Sequence, residues 1–89
     1  MNLELKGKVV GIKDVQHISD KFRKQVVVVE YIEKDKPKTM ALEFVNDNIE
    51  KIMNLQINDK ATFKFNLNCR EHNGNFYLLN VGASIVNDN

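Results

Sequence analysis

Two segments joined by Asn73-Gly74 restrict the fold of this chain more than any other feature. Residues 61–70, "ATFKFNLNCR", place an apolar side chain at every second position, and residues 75–86, "NFYLLNVGASIV", are rich in apolar and aromatic side chains. Alternation with a period of two is typical of a β-strand that buries one face. Because Asn-Gly accepts the positive φ angles of a tight turn, this region predicts a β-hairpin, strands four and five of the chain.

Alternate positions along this predicted hairpin divide the side chains between two faces. On strand four, Cys69 shares a face with Phe63, and we expect both to be buried. On strand five, Tyr77 is predicted to enter the core, so Phe76 and Leu78 should point outward. The outward set then includes Arg70 beside Phe76.

Three further strands precede the hairpin. Strand one is predicted over residues 3–14 and strand two, "FRKQVVVVEYIE", over residues 22–33. Strand three is predicted over residues 38–45, where Pro37 is expected to end the pairing on its N-terminal side. The polar stretch between strands one and two is expected to be a loop.

The hydrophobic period changes after strand three. In "NDNIEKIMNL", residues 46–55, apolar residues repeat at three and four positions: Ile49, Ile52 and Met53. This spacing predicts a short helix, and Asn46 or Asp47 is the expected N-cap.

The order of the elements indicates the fold class. Three strands, a short helix and a two-strand hairpin form the five-stranded OB-fold, a Greek-key barrel of the all-β class. A five-stranded SH3-like barrel is the alternative, and the helix between strands three and four favours the OB-fold. A length of 89 residues suits one domain. We expect that domain to span residues 1–86, with a frayed tail at 87–89.

Composition narrows the class of protein. The chain is 43% hydrophobic and 28% charged, which is typical of a globular domain. It has no apolar run of the roughly 20 residues that a membrane helix needs, and its N-terminus lacks the apolar block of a signal peptide. We therefore expect a cytoplasmic protein that does not enter a membrane. The net charge of +1 provides no overall field that would attract nucleic acid.

Residues suited to catalysis or metal binding are sparse. The sequence has no glycine-rich phosphate loop, no nucleophile motif and no paired catalytic carboxylates. His17 and His72 are the two histidines, and a zinc site usually needs three or four ligands. We expect no enzymatic activity, no metal, no cofactor and no small-molecule substrate.

Segments along nearly the whole chain resemble a family of short bacterial and phage proteins classed as a domain of unknown function. The matching stretches are "LELKGKVVGI", "FRKQVVVVEY", "ALEFVNDNIEKI", "LQINDKATFKFNL" and "CREHNGNFY". The resemblance implies an OB-fold related to single-stranded-DNA-binding proteins, in a bacterial cell or a phage-infected host. His72 and Asn75 depart from the family pattern, which has an aromatic and a basic residue there, and the chain has no tryptophan.

An OB-fold binds ligands on its second and third strands and between two of its loops. Here those loops are residues 13–24 and 70–75. Cations neutralise phosphates, and aromatic rings stack on bases. The candidate nucleic-acid-binding residues are Lys13, Lys21, Phe22, Arg23, Lys24, Lys64, Arg70, His72 and Phe76. Under the structural alternative, the loop lysines are only solvated and Phe22 belongs to the core.

Two functions fit these residues. The first is binding of single-stranded nucleic acid, DNA rather than RNA, with little sequence specificity. The second is a protein-interaction or assembly module without nucleic-acid binding, in which Phe76 and Leu78 contact another subunit of a homodimer or larger homo-oligomer.

Overall fold

The computed structural model describes residues 2–87, which form six β-strands and one short helix. In chain order the elements are β1 (Asn2–Ile12), β2 (Gln16–Ser19), β3 (Phe22–Glu33), β4 (Lys36–Val45), a 3₁₀ helix (Asn46–Ile52), β5 (Lys60–His72) and β6 (Asn75–Asn87).

Five of the strands close into a ring. Neighbours in the order β1, β5, β6, β4, β3 are hydrogen-bonded, and β1 also pairs with β3. The strands are antiparallel except β4 and β6, which run parallel where Glu43 meets Val81. This connectivity is the five-stranded OB-fold barrel that the sequence predicts. Predicted strands one to five correspond to β1, β3, β4, β5 and β6.

The barrel encloses one apolar core. The largest fully buried side chains are those of Phe44, Phe63 and Leu42, and valines from β1 and β3 pack with them. Alternation along β3, β4 and β5 delivers these residues to one side of the sheet. No polar or charged side chain is buried among the described residues. Apolar burial is therefore the main contribution to the stability of the barrel.

Gly82 of β6 is required by the packing of this core. A Cβ atom at position 82 would overlap the ring of Phe44. At the same place β6 carries a bulge, because Lys64 pairs with Ser84 whereas Phe65 pairs with Gly82. Residue 83 is therefore the extra residue of the bulged strand.

The bulge changes which residues of β6 face the core. Ile85 packs against the core opposite Phe63, and Gly82 also faces inward. Alternation before the bulge then places Val81 and Tyr77 on the outer side of the sheet. Tyr77 is 50% exposed, so the prediction that it enters the core is wrong.

The prediction that Cys69 is buried is also wrong, because its side chain is exposed. Cys69 does keep the parity of Phe63 along β5, whose register shows no shift on the β5 side. However, β1 pairs with β5 no further than Asn66. The end of the β5–β6 hairpin extends beyond the barrel, where inward parity no longer means burial.

The helix between β4 and β5 is a 3₁₀ helix. Ile49 and Ile52 are buried, whereas Met53 is 74% exposed. In a 3₁₀ helix, residues three apart lie on the same side, and the next residue turns away from it. The burial of one isoleucine pair and the exposure of Met53 follow from that period.

The predicted cap of this helix is absent. The N-cap position is held by Val45, which makes no side-chain hydrogen bond there. Asn46 instead uses its side-chain Oδ1 to accept a hydrogen bond of 3.1 Å from the backbone N–H of Arg23. That bond ties the start of the helix to the start of β3.

Two connections contain more strand structure than the sequence predicts. Residues 16–19 form β2, which pairs with β3 outside the ring, so the first loop is a β-hairpin. Pro37 lies within β4 opposite Ile32 and does not end the pairing. The turn before it is limited to Lys34 and Asp35, both of which have positive φ angles.

The C-terminal strand reaches into the predicted tail. Asn87 lies opposite Ala61 at the end of β6, whereas positions 88 and 89 of that tail lie outside the described residues. Among residues 2–87, no helix combines the length and the apolar character needed to cross a membrane.

Candidate nucleic-acid interface

The β2–β3 hairpin brings together four residues of the first predicted loop. His17, Lys21, Phe22 and Arg23 line a pocket of about 170 Å³, the β2–β3 pocket, beside the start of the 3₁₀ helix. Arg23 is fixed there by its backbone bond to Asn46. Phe22 is 37% exposed and lies outside the buried core. The pocket therefore presents an accessible ring beside two cationic side chains, and Asp20 and Asp47 line it as well.

Lys13 and Lys24 have different surroundings. The Nζ atom of Lys24 lies 3.1 Å from Oε1 of Glu43, and both side chains are largely covered. The charge of Lys24 is therefore compensated on the outer face of β3 and β4. Lys13 has an exposed side chain, and its carbonyl oxygen accepts a hydrogen bond of 2.9 Å from Nε2 of Gln25.

A groove of about 460 Å³ runs between β4 and β6. Val26 and Ala41 line it from the barrel side, and Leu78, Leu79 and Asn80 line it from β6. Nδ2 of Asn80 donates to the carbonyl oxygen of Ala41 at 3.3 Å. This groove opens on the strands that OB-folds use for ligands. Its walls combine aliphatic and polar side chains without an aromatic ring, so an aromatic ring must come from elsewhere.

The end of the β5–β6 hairpin, residues 68–79, is termed here the distal hairpin. Asn73 and Gly74 have φ angles of +53° and +80° and form the predicted turn. Arg70 lies directly opposite Tyr77, whereas Glu71 lies directly opposite Phe76. Because directly opposed residues share a face of the sheet, Arg70 and Tyr77 form one cross-strand pair and Phe76 lies on the reverse face.

The face that carries Arg70 and Tyr77 is continuous with the outer face of the barrel. Val81 is two residues before the bulge and pairs with Glu43, whose side chain forms the outer ion pair with Lys24. Tyr77 has the same parity as Val81. The predicted pairing of Arg70 with Phe76 is therefore wrong, and Arg70 is paired with Tyr77 instead.

Phe76 and Leu78 are exposed, as predicted, at 68% and 69%. They share their face with Cys69, which lies directly opposite Leu78. On this reverse face of the distal hairpin the apolar side chains form a small exposed patch. Phe76 is therefore separated from the arginine that was expected to accompany it.

Lys64 and His72 lie on β5 with the same parity as Arg70, so the three side chains share one face. Lys64 is opposite Glu4 of β1, and among the described residues it has no carboxylate within 4.0 Å. His72 is opposite Asn75 next to the turn.

The β2–β3 pocket and the distal hairpin stand at opposite ends of β4. Val45 pairs with Lys24 near the pocket, whereas Lys36 pairs with Glu33 at the far end. β6 runs parallel to β4, so the distal hairpin projects toward the Lys36 end. The nine residue steps between these ends of β4 correspond to about 30 Å. The predicted site residues thus form two clusters with a groove between them.

Tyr77 is the site residue that sequence reasoning missed. The sequence feature that indicates the outward position of Tyr77 is Gly82, because a glycine inside a strand often marks a bulge or a close backbone approach. A bulge at that position shifts the parity of every earlier residue of β6. As for metals, residues 2–87 hold no cluster of three or more histidine, cysteine or acidic side chains that could bind an ion.

The sequence was compared with protein families. The model of the domain of unknown function DUF3127 matches residues 4–83. This chain belongs to the DUF3127 family. The expected resemblance is thereby confirmed over most of the sequence. Comparison with curated proteins finds no significant match.

Solved structures similar to this DUF3127 domain include two single-stranded-DNA-binding proteins. The SSB domain of a Synechococcus sp. protein has a TM-score of 0.73 at 12% identity, over 94% of this chain and 91% of that one. The mitochondrial single-stranded-DNA-binding protein Rim1 of S. cerevisiae has a TM-score of 0.69 at 9% identity, over 99% and 94%. At such identities the similarity establishes the shared fold.

Proposed function

We propose that this chain binds single-stranded nucleic acid, DNA in preference to RNA, with little dependence on sequence and without catalysis. The observation that carries the proposal is the pairing of Arg70 with Tyr77 on the outer face of an exposed hairpin. A guanidinium group beside an aromatic ring contacts a phosphate and a neighbouring base at once. The shared fold with two single-stranded-DNA-binding proteins supports this assignment.

The binding mechanism follows from the two clusters. At one end Lys21 and Arg23 contact phosphates and Phe22 stacks on a base. At the other end Arg70 contacts a phosphate and Tyr77 stacks on a base, and Lys64, on the same face of β5, contacts a further phosphate. The strand crosses the groove between β4 and β6, whose walls carry both aliphatic and polar side chains. A separation of about 30 Å suits the 4 to 16 nucleotides that OB-folds cover.

A pair of neighbouring substitutions tests this mechanism. Tyr77→Ala removes the ring on the outer face and should weaken oligonucleotide binding by about 1 to 3 kcal/mol. Phe76→Ala is the matched control, because it removes another exposed ring from the reverse face of the same hairpin. Fluorescence anisotropy with a labelled oligothymidylate measures both. Equal affinity of Tyr77→Ala and the unmodified protein would refute stacking at this position.

The exposed patch of Phe76, Leu78 and Cys69 favours a second candidate function, assembly into a homo-oligomer. Burial of two large apolar side chains would contribute about 1.5 to 3 kcal/mol each. Light scattering compares the mass of the unmodified protein with that of Phe76→Ala. A lower mass for the variant supports the interface, and a monomeric mass for both contradicts it.

A further inference from the structure

A fork between β1 and β3 forms a cavity that lies apart from the groove and from the distal hairpin. The last pair between these strands joins Lys8 to Glu30. Before Lys8, β1 pairs with β5 only, and after Glu30, β3 pairs with β4 only. The two strands therefore diverge, and the gap between them is a cavity of about 410 Å³. This volume lies within the range of small-ligand sites.

Three lysines line the fork: Lys6, Lys8 and Lys60. Lys8 and Lys60 lie directly opposite each other across β1 and β5, and Lys6 is two residues from Lys8 on the same face. Directly opposed like charges on a sheet destabilise it. This repulsion is relieved when an anion lies between the ammonium groups.

The charges around the fork are incompletely compensated. Glu30 is the acidic residue that lines the cavity, and its Oε1 lies 4.0 Å from Nζ of Lys8. Within residues 2–87, Lys6 and Lys60 have no carboxylate within 4.0 Å. Three cations face one carboxylate, which leaves an excess of positive charge suited to a phosphate group.

Tyr31 provides the other half of the site. It lines the same cavity one residue beyond Glu30, where β3 has left β1, and by alternation it approaches the gap from the side of β3 that carries Val29. A half-buried ring beside cations can stack on a base while the cations hold the adjacent phosphate.

We propose that the fork binds a nucleoside phosphate, with the phosphate on Lys6, Lys8 and Lys60 and the base against Tyr31. Two sources can supply this group: a free mononucleotide, or one nucleotide of a bound single strand. Lys60 and Lys64 share the outer face of β5 with Arg70, so a strand bound at the distal hairpin has a cationic path to the fork. The second source rests on the proposed function, whereas the first does not.

Amide chemical shifts of the uniformly ¹⁵N-labelled protein test the proposal. The probes are dAMP and an oligothymidylate of about ten nucleotides. Both are titrated into the unmodified protein and into a triple variant, Lys6→Gln with Lys8→Gln and Lys60→Gln. Lys51→Gln, on the 3₁₀ helix, is the control for the loss of one charge outside the fork. Unchanged shifts of core amides in each free variant verify folding.

If the ligand is a free nucleotide, dAMP should change the amide chemical shifts of Gly7 and Tyr31. The triple variant should lose this effect. If the ligand is one nucleotide of a bound single strand, only the oligonucleotide should change these chemical shifts. The triple variant should then lower the slope of log affinity against log salt by about 0.7, the contribution of the one phosphate held at the fork.

The proposal is overturned when neither probe moves the fork amides, or when the triple variant responds as the unmodified protein does. Oligonucleotide shifts confined to the distal hairpin would uphold the proposed function and reject the fork. Conversely, a response at the fork to dAMP, with no oligonucleotide binding elsewhere, would uphold the fork and reject the proposed function.

Discussion

β5 and β6 contribute to both the barrel and the distal hairpin, yet their apolar side chains are buried in the barrel and exposed in the distal hairpin. Phe63 of β5 is fully buried, and Phe76 of β6 is 68% exposed. Both residues have the parity of the barrel interior. The difference arises because β1 pairs with β5 no further than Asn66, and β4 pairs with β6 at Val81, so neither strand pairs with the distal hairpin.

This contrast separates two roles within one hairpin. In the barrel, alternation supplies a core, and the outer positions are solvated. In the distal hairpin both faces are exposed, so Arg70 and Tyr77 are available on one side and Phe76 and Leu78 on the other. We therefore expect binding contacts at the distal hairpin, where the side chains of both faces are exposed.

The largest expected effect compares two phenylalanines. Phe63→Ala should lower the free energy of unfolding by about 3 to 5 kcal/mol, because it leaves a cavity in the core. Phe76→Ala should lower it by about 0.5 kcal/mol or less. Urea denaturation of both variants measures the difference. A cost above about 2 kcal/mol for Phe76→Ala would show that this ring is covered in solution, as an oligomer interface requires.

A second comparison concerns two glycines. Gly82→Ala should cost about 1 to 3 kcal/mol of stability, because the new methyl group overlaps the Phe44 ring. Gly74→Ala should cost about 1 kcal/mol, because Gly74 has a φ angle of +80° and open space around it.

Matched variants distinguish these two causes. Asparagine tolerates positive φ, so Gly74→Asn should be more stable than Gly74→Ala. Phe44→Leu should reduce the additional cost of Gly82→Ala, because it removes the ring that the methyl group meets. Additive effects of Phe44→Leu and Gly82→Ala in urea denaturation would contradict the packing explanation.

The smallest expected effect compares two cations. Arg70→Gln should lower the salt slope of oligonucleotide binding by about 0.7, the contribution of one phosphate contact. Lys24→Gln should leave the slope unchanged, because the Lys24 ammonium lies 3.1 Å from Glu43. Anisotropy titrations at several salt concentrations give both slopes. A reduced slope for Lys24→Gln would show that its ion pair opens when the strand binds.

Local patterns were sufficient for the positions of most elements. The β-branched run of residues 22–33 matches β3, and Asn73-Gly74 forms the predicted turn. The fold followed from the order of these elements. β2 was missed because its short polar stretch pairs only with the end of β3 that projects beyond the barrel.

The faces of β6 could not be obtained from alternation along the strand alone. Its bulge is defined by the change of register between Lys64 and Phe65 on the partner strand. A parity count along β6 therefore assigned Tyr77 to the core. Exposure of Cys69 was missed for a different reason, because alternation indicates a face but not whether another strand covers it.

Binding of single-stranded DNA is tested most directly by fluorescence anisotropy of a labelled oligothymidylate titrated with the protein at several salt concentrations. Phosphate contacts by Lys21, Arg23, Lys64 and Arg70 predict saturable binding with a salt slope of about −3, so affinity should fall about 50-fold between about 50 and 200 mM salt. Absence of any anisotropy change at the lowest salt concentration would contradict the proposed function.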